Sequence, residues 1–264
     1  MQYERITSKN NAKIKQVHRL ATSSSERAGM GLFVLEGLRL CCDAALNGVE
    51  ANELYFTDGA ENKYRDKIEL LISRSMRAYC VSAEVFDKLS TTENSQGVCA
   101  VYSTDVLPSV SAPDVSGRYI ACENVADPAN LGTIARTAEA LGISGMILLG
   151  HCCDKLNPKS LRASMGALIR LPVITMTDAQ DAVRAMRSNG MRVFASVVTS
   201  DASAVTDVSF ADGDVIIIGN EANGISSETA EQCTQRITIP ISGRAESLNA
   251  AGAAAILLWE LSGR

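Results

Sequence analysis

The sequence predicts an α/β protein, a small N-terminal α/β domain followed by a parallel-sheet α/β domain. Three observations carry that expectation: short apolar runs of strand length recur along the chain, stretches of helical spacing separate them, and one Pro-, Ser- and Gly-rich tract breaks the pattern. At 264 residues with 46% hydrophobic side chains, the chain can fill more than one core.

Upstream of the tract, Phe33–Leu35, Glu53–Phe56, Arg77–Val81 and Gly97–Tyr102 read as short buried strands, with helical patterns over Gly37–Leu46 and Lys63–Arg74. Residues 1–103 are therefore expected to form the first domain. From Asp105 to Gly117 the apolar periodicity disappears, which places a linker at 104–117. Downstream, over 118–264, Tyr119–Cys122, Gly145–Leu149, Arg192–Ser196 and Asp214–Gly219 read as strands separated by helical stretches. Near-continuous apolar strands imply a parallel sheet covered on both faces, and in such sheets ligands sit outside the carboxyl ends of the strands.

No apolar run approaches the length of a membrane span, and the N-terminal residues lack a secretory apolar core, so a cytoplasmic protein with no membrane partner is expected. The eight cysteines show no C-x-x-C spacing and only His18 and His151 could join them, which favours buried free thiols over disulfides or a metal site. The formal charge is −5, but it is unevenly spread: residues 1–40 hold seven Lys/Arg against three acids, and residues beyond 103 hold 12 against 17. A basic head on an acidic body fits local contact with a polyanion, and Lys9, Lys13, Lys15 and Arg39 are the candidate RNA contacts. A solvated helix face explains the same charges.

Three segments of the second half carry the chemistry: Glu123 to Gly132 continuing to Arg136, Gly219 to Gly224, and Ile239-Pro240 running into Glu246 to Asn249. In Asp127-Pro128-Ala129-Asn130, Pro128 stiffens a turn and Asn130 is expected to cap a helix whose apolar face is Leu131, Ile134, Ala135, Ala138 and Leu141. Arg136 leaves that helix on its small-residue flank, either as a surface cation or as a planar fork for a phosphate or ribose oxygen. Gly219-Asn220-Glu221-Ala222-Asn223-Gly224 follows a β-branched strand with two permissive glycines around a carboxylate. Ile239-Pro240-Ile241 enters a loop, and Glu246-Ser247-Leu248-Asn249 then opens an Ala-rich helix from Ala250 to Leu258, where capping accounts for Ser247 or Asn249 but hardly for both beside Glu246. A dinucleotide fingerprint after a strand, a phosphate-binding P-loop and a serine-hydrolase elbow are all missing from the sequence.

In that order, the three segments resemble the signature motifs of the SpoU/TrmH family of RNA ribose 2′-O-methyltransferases. The stretch Asn157 to Ala167 resembles the segment that family members carry between the first two motifs. Upstream, Ile6 to Asn11, Phe33 to Arg39 and Leu89 to Gly97 resemble the ribosomal-protein-like substrate-binding domain of rRNA-directed members. The resemblance implies a C-terminal trefoil knot, one of the exceptions to the rule against threaded loops, and a homodimer with its sites near the interface. It implies S-adenosylmethionine as cofactor, held by Gly219, Asn220 and Glu221, by Ile239, Pro240 and Ile241, and by Leu248 and Asn249. It implies methyl transfer to a ribose 2′-oxygen of RNA, with rRNA of the large subunit favoured, and it carries the catalytic role to Arg136 with Asn130, Glu221, Ser247 and Asn249 as positioning groups. Two departures are small-for-small: Ala222 stands where many relatives have glycine, and Ala250-Ala251-Gly252 replaces a more usual Val/Ser run. A tRNA ribose methyltransferase and a non-catalytic RNA-binding knotted dimer are the alternatives. The extra N-terminal domain speaks against the first, and the intact Asn130, Arg136 and Asn249 against the second.

Overall fold

β-branched and aromatic runs form the strands, and Ser, Thr, Asn or Asp opens most of the helices. The computed structural model describes residues 3–92 and 95–263. The expected domain ends at 1 and 264, and positions 93 and 94 of the segment 89–97, lie outside the described residues. In chain order the elements begin β1 (Glu4–Ile6), α1 (Ala12–Thr22), α2 (Ser24–Met30), β2 (Leu32–Glu36), α3 (Leu38–Leu46), β3 (Glu53–Thr57), α4 (Asp58–Lys63), α5 (Arg65–Ser73), β4 (Ala78–Val81), α6 (Ala83–Phe86) and β5 (Val98–Ser103). They continue with β6 (Tyr119–Glu123), α7 (Pro128–Ala140), β7 (Gly145–Leu149), α8 (Pro158–Ser164), α9 (Ala167–Arg170), β8 (Val173–Met176) and α10 (Ala179–Ser188). The last are β9 (Arg192–Ser196), β10 (Ser203–Ala204), β11 (Asp214–Ile218), α11 (Ser227–Gln232), β12 (Gln235–Thr238) and α12 (Ala250–Ser262). Two compact units result: Met1–Leu107 with Leu156–Ile169, and Pro108–Lys155 with Arg170–Arg264.

In the first unit the strand order is β1-β4-β3-β5-β2, with β1, β4 and β3 parallel and β5 antiparallel to both of its neighbours. Ile14, Val17 and Leu20 of α1 bury against Val34, Tyr55, Tyr79 and Val101 of the sheet. The rings of Tyr55 and Tyr79, directly opposite in register, stack at 5.1 Å. The helix expected from Lys63 to Arg74 is α5, and Tyr64, with φ −129°, separates it from the preceding short helix α4.

The second unit is a seven-stranded sheet, β10-β12-β9-β11-β6-β7-β8, with every pairing parallel. The four strands expected from the sequence are its four adjacent inner strands β9, β11, β6 and β7. One face packs Ala121, Ile147, Val193, Val215 and Ile217 on Val183 and Met186 of α10. α12 packs against α7 and β11, and its Ala254, Leu257, Leu258 and Leu261 are fully buried with Ile134 and Ala138 of α7. All eight cysteines are free thiols, six of them buried. Among the described residues, no helix is long and apolar enough to cross a membrane.

Candidate active site

The strands β6 and β11 are neighbours in register, so the loops that leave their carboxyl ends meet. β6 runs one residue beyond its expected end to the buried Glu123. The chain then reverses at Asn124, whose φ of +54° is a left-handed conformation that asparagine tolerates better than most residues. Three bonds fix this turn: Asn124 N donates to Leu149 O at 3.1 Å, its Oδ1 accepts from His151 N at 2.7 Å, and its O accepts from Asn220 Nδ2 at 2.8 Å.

The cap of α7 is Asp127, whose side chain accepts from Ala129 N at 2.9 Å, with Pro128 at the first helical position. The expected cap, Asn130, lies instead within the first turn and is buried. Because Asp127 already satisfies the helix start, the Asn130 amide is available to other loops. Its Nδ2 donates to Glu221 Oε1 at 2.9 Å and its Oδ1 accepts from Asn249 Nδ2 at 3.2 Å. Asn249 in turn caps α12, accepting from Ala251 N at 2.9 Å and Gly252 N at 3.3 Å. A continuous chain Glu221–Asn130–Asn249 thus joins the three motif segments.

Glu221 also accepts from Ala126 N and Asp127 N, both at 3.2 Å. Partial burial pushes its carboxyl upward, but the bonds from Asn130, Ala126 and Asp127 outweigh that and hold it below the usual carboxylate range. The loop that carries it is pinched: Asn220 N and Gly224 O, and Gly224 N and Asn220 O, bond at 3.0 and 2.9 Å. At Gly219 a Cβ would fall 2.0 Å from the Gly224 carbonyl carbon and 2.2 Å from Ile225 N, so only glycine fits this backbone crossing.

These loops border a pocket of about 400 Å³. Of the expected cofactor residues, Gly219, Asn220, Glu221, Ile239, Ile241 and Leu248 line it, together with Ser247; Pro240 and Asn249 do not. Two contributors carry no role in the expectations from the sequence. Residues 196–199 at the carboxyl end of β9 form a wall, and the signal for them was the adjacency of β9 to β11 combined with the carboxyl-end rule. Glu123 accepts from Ser226 N at 3.1 Å, Ser226 Oγ at 2.7 Å and Thr229 Oγ1 at 2.9 Å, tying the exit of the 219–226 loop to β6. The sequence sets Glu123 at the head of the first motif segment without indicating its partners. Arg136 stands on the exposed face of α7, and among the described residues its guanidinium makes no hydrogen bond or ion pair. Glu246 is exposed in the loop before α12.

The residues present fit S-adenosylmethionine. Ile218, Ile239, Ile241 and Leu248 offer apolar surface for a purine and a methylene chain, backbone groups of the same segments offer polar partners, and the ionised Glu221 borders the space where a sulfonium cation would add charge. The RNA candidates are less uniform. Lys13 Nζ is engaged by Glu53 at 2.6 Å and lies 4.9 Å from the Tyr79 ring centre, and Lys9 pairs with Glu84 at 3.5 Å. Lys15 and Arg39 are exposed and have no acidic partner among the described residues.

Residues 117–259 match the SpoU rRNA Methylase family, and residues 11–100 match the MRM3-like substrate binding domain. The chain belongs to the SpoU rRNA methylase family. It is 28% identical over 260 residues, 98% of this chain and 100% of the relative, to the 23S rRNA (guanosine(2553)-2′-O)-methyltransferase RlmP of Bacillus subtilis. To the 23S rRNA (uridine(2479)-2′-O)-methyltransferase of Streptomyces viridochromogenes it is 30% identical over 266 residues, covering 97% and 91% of the two chains. The crystal structure of an AdoMet-bound rRNA methyltransferase from Sinorhizobium meliloti superposes with a TM-score of 0.84 at 29% identity, covering 99% of this chain and 98% of that one. S-adenosylmethionine is accordingly the cofactor of this SpoU-family chain.

Proposed function

We infer that this protein methylates a ribose 2′-hydroxyl of rRNA, with large-subunit rRNA as its substrate. The observation that carries this reading is the Glu221–Asn130–Asn249 chain, which closes three separate motif segments around one pocket in a SpoU-family fold. S-adenosylmethionine, when bound, supplies the methyl group from its sulfonium. The pocket residues orient the cofactor, and the buried Asn130 amide fixes the first turn of the helix that carries Arg136.

Arg136 is the catalytic residue in this reading. A guanidinium is effectively always protonated and cannot take the hydroxyl proton. Its role is to orient the ribose and stabilise the alkoxide as oxygen–carbon bonding develops, while a phosphate or a water receives the proton. Being free of protein partners on an exposed face, it is available to RNA.

Three further expectations belong to the same reading. A trefoil knot in the C-terminal region belongs to the same reading, and the 219–224 and 239–248 segments border one pocket. The apolar surface of α12 fits a homodimer. An rRNA substrate puts the enzyme in the cytoplasm, with the ribosome.

The deciding experiment is mass spectrometry of rRNA nucleosides from a strain lacking the gene, its parent and an Arg136→Ala complement. Loss of one 2′-O-methylated nucleoside, restored by the wild type and not by the mutant, is the expected result; an unchanged profile would redirect the search to tRNA. In vitro, Arg136→Ala should slow single-turnover methylation on the order of a hundredfold or more while cofactor affinity stays the same. Equal loss of both in rate and calorimetric titration would remove Arg136 from the chemistry.

A further inference from the structure

A second pocket, of about 390 Å³, lies wholly in the first unit, walled by the turn from β3 into α4, by α6 and by residues 95–97. Ala60 and Phe86 are its buried surface, and Lys63, Asp87 and Gln96 stand exposed around it with the half-buried Tyr64. The wall is built with care for backbone geometry. Gly97 has φ +69°, and a Cβ on it would come within 2.4 Å of Thr57 Oγ1, so glycine alone permits this approach. Thr57 N donates to Gly97 O at 3.0 Å, and Thr57 Oγ1 accepts from Ala60 N at 3.1 Å to cap α4. Gln96 is oriented by its Oε1, which accepts from Leu38 N at 2.9 Å and leaves Nε2 as the outward donor. The interruption between α4 and α5 that places Tyr64 here also sets Lys63 Nζ 5.2 Å from the centre of its ring.

We propose that this pocket takes one unstacked nucleobase of the RNA substrate and selects the keto bases, uracil and guanine. The proposal rests on the reading that RNA is the substrate. An aromatic ring beside a lysine is the pairing that binds a splayed-out nucleotide, with the ring stacking on the base and the cation meeting its phosphate. The volume lies in the range of small-ligand sites. Selectivity follows from the two remaining polar groups. Uracil and guanine each carry a ring N–H next to a carbonyl, which matches the Asp87 carboxylate as acceptor and Gln96 Nε2 as donor. Adenine and cytosine carry a bare ring nitrogen next to an amino group, setting lone pair against carboxylate and N–H against N–H. Asp87 also repels phosphate, so the RNA backbone passes on the Lys63 side.

The test uses the full chain and fluorescently labelled ten-nucleotide oligo(U), oligo(A) and oligo(C), with affinities read by anisotropy at fixed salt. Wild type should bind oligo(U) more tightly than either of the others, by about tenfold for one well-matched base edge. Tyr64→Ala should weaken oligo(U) binding about 5- to 150-fold, the range for one base–aromatic stack, and Tyr64→Phe should restore it. Asp87→Asn should erase the preference for oligo(U), and Lys63→Ala should lower the salt slope by about one. Cofactor affinity should stay constant throughout, which separates these effects from unfolding. Unchanged binding by Tyr64→Ala, failure of Tyr64→Phe to rescue, or no base preference in the wild type would each overturn the proposal. If that wild-type preparation still methylates rRNA, only the pocket assignment falls; if it does not, the methyltransferase reading falls with it.

Discussion

Glu123 and Glu221 hold the loops of the candidate active site from opposite sides. Glu123, at the end of β6, accepts from Ser226 and Thr229 beyond β11, while Glu221, beyond β11, accepts from Ala126, Asp127 and Asn130 beyond β6. Each carboxylate thus satisfies donors of the other strand's loop. In Glu221→Gln one acceptor oxygen becomes an NH₂ group facing N–H donors, so the expected loss is about 1.5–3 kcal/mol of loop stability, read as weaker cofactor binding in calorimetry. Glu123→Ala, which leaves Ser226 and the buried Thr229 hydroxyl without this acceptor, should weaken cofactor binding as well without touching the cofactor. Gly219→Ala is the stricter case: its Cβ would meet backbone rather than a movable side chain, and a loss of at least about 1–3 kcal/mol is expected in chemical denaturation. Glu221 could be found in the sequence because it stands between two asparagines and two glycines. The partners of Glu123 could not, because nothing in a strand run of Tyr-Ile-Ala-Cys-Glu says which donors a terminal acid will meet across 103 residues of chain. The capping expected of Asn130 falls to Asp127, three residues earlier and an equally good cap.

Legibility at the level of elements followed burial. The inner strands β6, β7, β9 and β11 are apolar runs with both faces covered, and their sequence shows it. β1, β8 and β10 are sheet edges, and β12, with only Ile237 buried among Gln235–Thr238, pairs with the two-residue β10. Such strands need little apolar sequence, because neighbours rather than composition hold them. The same contrast applies at the end of β2, where Glu36 is buried and accepts from Ser90 Oγ at 2.5 Å, Thr91 N at 2.9 Å, Thr92 Oγ1 at 2.7 Å and Arg162 Nη1 of α8 at 3.3 Å. The motif around Glu36 was visible, but its bond to Arg162, 126 residues away, was not. Burial pushes the Glu36 carboxyl up, and the surrounding hydroxyl and amide donors outweigh this and lower it overall. A carboxyl held lower in the folded chain than in the unfolded one adds stability above its unfolded value, about pH 4.3, and loses that contribution as pH falls through the folded value. The stability advantage of wild type over Glu36→Gln should therefore be constant near neutrality and shrink only in acid, as followed by denaturation at stepped pH. An advantage that grew on acidification would show that the group binds as the neutral acid.

For the molecule as a whole, the pairing of its charges and its exposed apolar surface bear on its partners. The basic head that suggested a polyanion partner is largely answered by acids of its own unit: Arg5 meets Asp58 at 2.7 Å, Arg19 meets Glu26 at 3.7 Å, and Lys9 and Lys13 are paired as well. RNA affinity carried by few unpaired cations such as Lys15 and Arg39 should fall with salt at a slope of about two to three, shallower than seven free cations would give. α12 points the other way. Glu260 is its only charged residue, and a helix apolar nearly all round belongs in a core or an interface. Its inward residues Ala254, Leu257, Leu258 and Leu261 are buried, yet Ile256 and Trp259 remain 40% and 51% exposed. A tryptophan and an isoleucine on one exposed helix face, beside the helix that carries Arg136, fit the centre of a two-fold interface, where aromatic anchors concentrate binding energy. Trp259→Glu should convert a dimer to monomers in sedimentation velocity while leaving the thermal transition of each unit in place. Methylation should fall with the dimer, because α12 packs on α7, the helix that carries Arg136. A wild-type chain that sediments as a monomer at micromolar concentration, or a Trp259→Glu monomer with full activity, would mean that the apolar face of α12 serves the fold or the RNA instead.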